Sequence, residues 1–303
     1  MIADRQQTAT DLLEEKNLLP QMLLEDYLSV ALGVRKCSLT TIPAEFPDGK
    51  DIARRIDLAC ISDYHKLALE RDVKKKAKLI QKFKNTLREA YQVTVERSPS
   101  FRCHANWTNR LALRVFEVEV RPTVRELFFH MGEDTKTRLQ ELYAIRASFR
   151  DKFLRDLREQ PPRSAFAYPE EYSSDYVLGM GELLGYPRCC IEAYLRGRTM
   201  GNVLAEERAS KQIQVLRAQG LEPELYAFFA KDFIPCTATC GNAAATGRKF
   251  LGAFEQFDIR LCQPYMQSLK TNLANVEFYV QRIESHKEKM KAQAQELGIK
   301  TLR

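Results

Sequence analysis

The chain has 303 residues, 45% apolar and 29% charged, a globular composition with enough apolar material for a sizeable core, which excludes a disordered chain. No run of eighteen apolar residues occurs and the N-terminal MIADRQQTATDLLEEKN lacks the apolar segment of a secretory signal, so neither a membrane span nor secretion is expected. The net charge of +7 suits an acidic partner, nucleic acid or small molecule, without choosing one.

Periodicity predicts helix over 8–32, with Leu12, Leu13, Leu23, Leu24, Tyr27 and Leu28 apolar and Pro20 dividing the stretch. An extended piece follows at 36–42, then a loop at 43–50. Residues 51–91 read as helix. Residues 92–97 and 110–121 are rich in β-branched and aromatic types and read as extended. Leu111, Leu113 and Val115 alternate in one phase and Phe116, Val118 and Val120 in the other, which predicts a bulge between them. Pro122 ends this strand. Residues 123–131 read as a short helix, and 134–159 as a long one with Asp134 as N-cap.

The segment QPPRSAFAYPEEYSS at 160–174 is rich in Pro, Ser and Tyr. It divides the chain into an N-terminal α+β domain (1–160), a linker (161–174) and a C-terminal helical domain (175–303). The fold class expected is α+β, predominantly α-helical, with a small β-hairpin or sheet in the first domain. Helices are predicted at about 175–184, 188–197, 201–218, 222–231, 240–256 and 263–296, with a frayed tail after Gly298.

Eight cysteines in a chain with no sign of secretion need a reason other than disulfides, and a cytoplasmic location with reduced thiols is the expectation. Cys37, Cys60, Cys103 and Cys262 stand singly, and Cys37, Cys60 and Cys262 read as structural. The other four form two tight pairs. Gly185 and Pro187 precede Cys189 and Cys190, which places that pair in the first turn of a helix. There the free amides and the helix dipole favour thiolate. Pro235 precedes Cys236, and Cys240 lies four residues on, so a helical turn would put both on one face. Two such pairs suit zinc or an iron–sulfur cluster, held by all four thiolates or by three (Cys236 and Cys240 with either Cys190 or Cys189), and a cluster with three ligands would leave one iron open for substrate. A redox dithiol at Cys236 and Cys240 is the alternative.

The segments LLGYPRCCIEAYL (183–195) and FIPCTATCGNAAATG (233–247) resemble an archaeal and bacterial family catalogued as domain of unknown function 483. Its members share a G-[YIF]-P-x-C-C segment opening a helix and a later P-C-x-x-x-C segment. The resemblance covers about residues 175–260. It implies the cysteine site and no particular reaction.

Weaker signals remain. Lys74 to Arg88 holds seven cations and no acid, so this helix can meet phosphates or simply be solvated. Cys103 and His104 beside Trp107 would point to opposite faces of a strand, which argues against joint chemistry. His65, His130 and His286 read as single surface or packing histidines. The spaced glycines of LGMGELLG lack a preceding strand, so close packing of a helix end explains them better than a dinucleotide site. Three functions stay open: a cysteine-ligated metal or iron–sulfur enzyme acting on a small molecule or peptide, a nucleic-acid-associated protein with structural zinc, and a helical scaffold with a redox dithiol. Tyr186, Arg188, Glu192 and Asn242 are the nearest polar candidates for substrate contacts.

Overall fold

The computed structural model describes residues 4–156, 169–200 and 204–296. It is predominantly helical with one small antiparallel sheet. Most of the linker expected at 161–174 and the tail after Gly298 lie outside the described residues. The chain clusters into two compact units: residues 1–139 with 253–262, and residues 140–252 with 263–303.

In the first unit, α1 (Arg5–Glu14) starts on Asp4, whose side chain accepts from the Gln7 amide. Beyond Pro20 the chain turns as a π-helix, Met22–Leu28, whose seven residues are all buried, and runs on into α2 (Ser29–Ala31). Strand β1 (Cys37–Ile42) follows, then α3 (Gly49–Leu69), α4 (Val73–Val95) and α5 (Pro99–Arg110). Strands β2 (Arg114–Arg121) and β3 (Val124–His130) complete a sheet of order β1-β3-β2. Phe128 and Phe129 on the central strand are adjacent and both buried, so that end of the sheet is covered on both faces. Tyr27 meets Phe129 edge-on, with ring centroids 4.6 Å apart.

Several expectations here are corrected. The helix over 51–91 is two helices, parted at residues 70–72 and capped by Asp72, which accepts from the Lys75 amide. Residues 92–95 continue α4 instead of turning extended. Tyr91 and Val95, four apart, are both buried, and that packing overrides the β preference of Val93 to Val95. Residues 123–131 are not helical. Val124–His130 is the central strand, joined to β2 through a tight turn at Pro122 and Thr123. The phase slip also has another cause. Leu111 and Leu113 precede the strand, in a turn where Ala112 takes φ 53°, and the register shift falls at Glu119 and Arg121. His130 lies buried in β3, its Nδ1 donating to the Gly132 carbonyl at 3.0 Å. Helix α6 (Glu133–Asp156) begins one residue before Asp134, which sits in its first turn and not at its cap.

The second unit holds helices and no strand among its described residues: the rest of α6, a 3-10 turn at Pro169–Tyr172, α7 (Ser174–Leu183), α8 (Arg188–Met200), α9 (Ala205–Ala218), a 3-10 turn at Leu225–Phe228, most of α10 (Gly241–Phe257), α11 (Cys262–Glu277) beyond Cys262, and α12 (Tyr279–Glu296). The helix expected over 222–231 shrinks to that single 3-10 turn, and the one over 263–296 breaks at Phe278. The core is aromatic: Phe228, Phe229, Phe250 and Tyr265 are fully buried. No helix among the described residues is long and apolar enough to cross a membrane.

Candidate metal centre

The site grows from two helix starts in the second unit. Gly185 ends α7 at φ 76°, a left-handed position open to glycine, and the Tyr186 amide closes back on the Gly181 carbonyl at 2.8 Å. The chain reverses at once into α8. Gly181 makes this reversal tight: a Cβ there would lie 2.7 Å from the Ile191 side chain. The spaced glycines of this segment are thus explained by helix packing. Cys189 and Cys190 fall in the first turn of α8.

The second pair sits on a non-helical loop. Cys236 lies in a bend and Cys240 immediately precedes α10, its carbonyl accepting from the Ala244 amide at 3.0 Å. The two cysteines are therefore brought close by a turn and not by a shared helix face. Distant residues hold that loop. The Ala238 amide donates to Gln212 Oε1 of α9 at 3.2 Å, and the Glu224 amide donates to the Ala238 carbonyl at 2.9 Å. Beneath, Tyr186 packs on Phe233 with centroids 4.9 Å apart, Phe233 stacks on Phe229 at 4.3 Å, and the Tyr186 hydroxyl donates to the Asp232 carbonyl.

The four sulfurs converge. Cys189 and Cys190 are 3.8 Å apart, Cys189 and Cys240 3.8 Å, Cys190 and Cys240 3.7 Å, and Cys236 and Cys189 4.0 Å. All four lie within 4.8 Å of one another, a cluster positioned to bind a metal ion. The adjacent Cys189 and Cys190 both reach it. Cys190 and Cys240 are buried, while Cys189 and Cys236 are half-buried.

Two groups donate to the sulfurs. The Cys236 amide lies 3.4 Å from Cys190 Sγ, and Asn242 Nδ2 lies 3.5 Å from Cys189 Sγ. Burial works against ionisation of Cys189, but hydrogen bonds from Asn242 and the neighbouring thiols outweigh it, and this thiol lies below the usual cysteine range. Burial, joined by the charges of the neighbouring thiolates, pushes Cys190 well above that range. Burial also raises Cys236. Four packed thiolates repel one another, and a cation among them turns that repulsion into attraction, which is the chemistry this donor set fits.

The remaining candidates are placed as follows. Asn242 touches the cluster. Tyr186 supports it from below. Arg188 and Glu192 pair with each other at 2.9 Å, and Arg188 also bonds Glu182 at 2.5 Å, on the exposed side of α8. Gln212 carried no sequence signal, because its part depends on a contact 26 residues along the chain.

The Cys103–His104 pair lies on α5 in the first unit, not on a strand. His104 is buried against Phe101, Phe46 and Phe129, with the Tyr27 hydroxyl 2.8 Å from its Nδ1. Burial pushes its pKa down to about 4. Burial, with Glu15 beside it, pushes the Cys103 thiol up to about 12. Both groups are thus held neutral.

A family model described as protein of unknown function (DUF483) matches residues 170–261, which include all four clustered cysteines. No curated protein and no solved structure matches the chain.

Proposed function

We propose that Cys189, Cys190, Cys236 and Cys240 hold one tetrahedral metal ion, zinc, in a closed structural site that ties the start of α8 to the loop before α10. The observation that carries this reading is the sulfur spacing. A zinc–sulfur bond of about 2.3 Å sets a tetrahedral edge of about 3.8 Å; four of the six sulfur pairs are 3.7 to 4.0 Å apart, and all six lie within 4.8 Å. A cubane cluster puts each thiolate on a different iron and spreads the sulfurs farther apart. Among divalent ions, zinc outcompetes ferrous iron at such ligands.

A site with four protein thiolates has no coordination position left for a substrate, which supports a folding role over catalysis. When bound, the ion supplies a cross-link between segments some fifty residues apart. The protein's part is to aim the sulfurs, with the Cys236 amide and Asn242 donating to them, and to bury Cys190 and Cys240 away from water. A disulfide-forming dithiol is the lesser reading, since each sulfur has more than one equivalent neighbour.

Metal analysis of the anaerobically purified protein tests this. One zinc per chain is expected, and cobalt exchanged for it gives the intense visible bands of a tetrahedral tetrathiolate. A brown protein with several irons and acid-labile sulfide per chain overturns it. So does a metal-free protein that takes up neither ion.

A further inference from the structure

We infer that the outer face of α4 is a nucleic-acid-binding surface that grips the phosphate backbone. The observation is the way the first unit presents α3 and α4. The two helices are buried only at their base, through Ile52, Ile56 and Cys60 on α3 and Tyr91 and Val95 on α4. No residue from Ile61 to Ala90 is buried. Over 61–88 this outer part carries nine lysines and arginines against three carboxylates, so it holds six of the chain's seven net positive charges.

The charges are sorted by face. At 100° per residue, Leu79, Ile80, Phe83 and Leu87 form one stripe of α4. The ring contact between Phe83 and Tyr64 shows that this side meets α3. Lys74, Lys78 and Lys82 lie opposite, Lys75 and Lys84 flank them on either side, and Gln81 and Asn85 lie between; all seven are exposed, while Lys76 falls within the apolar stripe and is half-buried. No described carboxylate lies within ion-pair distance of Lys74, Lys75, Lys78 or Lys84. Farther along, Arg88 is held by Glu119 at 2.8 Å, which fixes the end of the row.

Charge complementarity selects the occupant. Lysines four apart rise about 6 Å along the helix, and a nucleic-acid strand offers a phosphate about every 3.4 Å. A row from Lys74 to Arg88 therefore runs beside several successive phosphates. The amides of Gln81 and Asn85 add donors for phosphate or sugar oxygens. An anionic membrane is the rival partner for a basic helix. It needs aliphatic side chains on the same face, and this face has none larger than Ala77. Leu69 and Val73, each 80% exposed, lie at the turn between the helices and not on the lysine face.

The test uses the full-length, metal-replete chain and fluorescence anisotropy with a labelled 20-base-pair RNA duplex, the matching DNA duplex and a single strand, over a salt series. Binding is expected at about 0.05 M salt, weakening steeply as salt rises. The variant K74Q/K75Q/K78Q/K82Q/K84Q should bind on the order of a hundredfold more weakly, with a duplex salt slope shallower by about four. The fivefold Lys→Arg variant should keep the slope. If the Gln variant does not fold by circular dichroism, K78E/K82E replaces it, with at least a tenfold loss expected. Equal binding by wild type and the charge-removed variant would overturn the inference. No binding to any of the three nucleic acids, or retention on phosphatidylserine vesicles alone, would do the same.

Discussion

In the first unit Cys37, Cys60, Cys103 and Cys262 lie on four different elements, whereas in the second Cys189, Cys190, Cys236 and Cys240 have sulfurs within 4.8 Å of one another. Each of the first set is enclosed singly. Cys37 and Cys60 are buried, and burial raises the thiols of Cys60, Cys103 and Cys262. The second set is buried as a group, and hydrogen bonds take one member, Cys189, below its usual range. Burial alone makes a cysteine inert. What distinguishes the second set is that each sulfur has other sulfurs as neighbours, with N–H donors at Cys189 and Cys190.

The sharpest way to break this comparison is to remove a buried ligand of the second set. Cys190→Ser and Cys240→Ser should each abolish stoichiometric metal and lower the melting temperature, because structural zinc contributes on the order of 10 kcal/mol in small zinc domains. Cys189→Ser, at a half-buried position, should retain weakened binding. Metal content and thermal melting of the three proteins check it; small, equal effects would reduce the cluster to packing.

Acid should weaken both units for different reasons. In the second, thiolate ligands must be deprotonated, so metal affinity falls as pH falls. In the first, His104 titrates at about 4 when folded, against ~6.5 unfolded. The unfolded chain then binds more protons between those values, so this stability is complete above the unfolded pKa and is lost as pH drops toward 4. The loss amounts to about 2 kcal/mol between pH 7 and pH 5. Urea midpoints of wild type and His104→Gln at both values measure it. An unchanged pH slope in the variant would place the acid sensitivity elsewhere.

A finer probe is Asn242, the side-chain donor to Cys189. Asn242→Ala should weaken metal binding about 10–100-fold, as loss of a ligand's hydrogen-bond partner typically does. Competition with a chelator of known affinity reads that change directly. The smallest effects belong to the first unit's thiols. Cys37→Ala, Cys60→Ala and Cys262→Ser should leave metal content unchanged and cost about 1 kcal/mol or less each. Loss of metal from any of these variants while it remains folded would erase the distinction between the two sets.

Local signals in the sequence pointed to the start of α8 and to the four cysteines that cluster. Glycine at 185 and proline at 187 mark a chain reversal through elementary backbone sterics, and the cysteines after Pro187 and Pro235 stand out by pairing alone. The strand at 37–42 and the one ending at Pro122 were legible for similar reasons. The central strand was not, because Val124–His130 owes its form to neighbours on both edges, one of them more than eighty residues away. The end of α4 was misread because Tyr91 and Val95 are fixed by burial and not by propensity.

Which cysteines would cluster was therefore written in the sequence, as composition and spacing. How closely they meet was decided by tertiary structure. Cys189 and Cys240 are 51 residues apart, and their 3.8 Å separation depends on Gly181 admitting Ile191, on Tyr186 packing against Phe233, and on Gln212 holding the Ala238 amide. None of these contacts has a local signature, since each joins groups whose proximity exists only after the helices have packed.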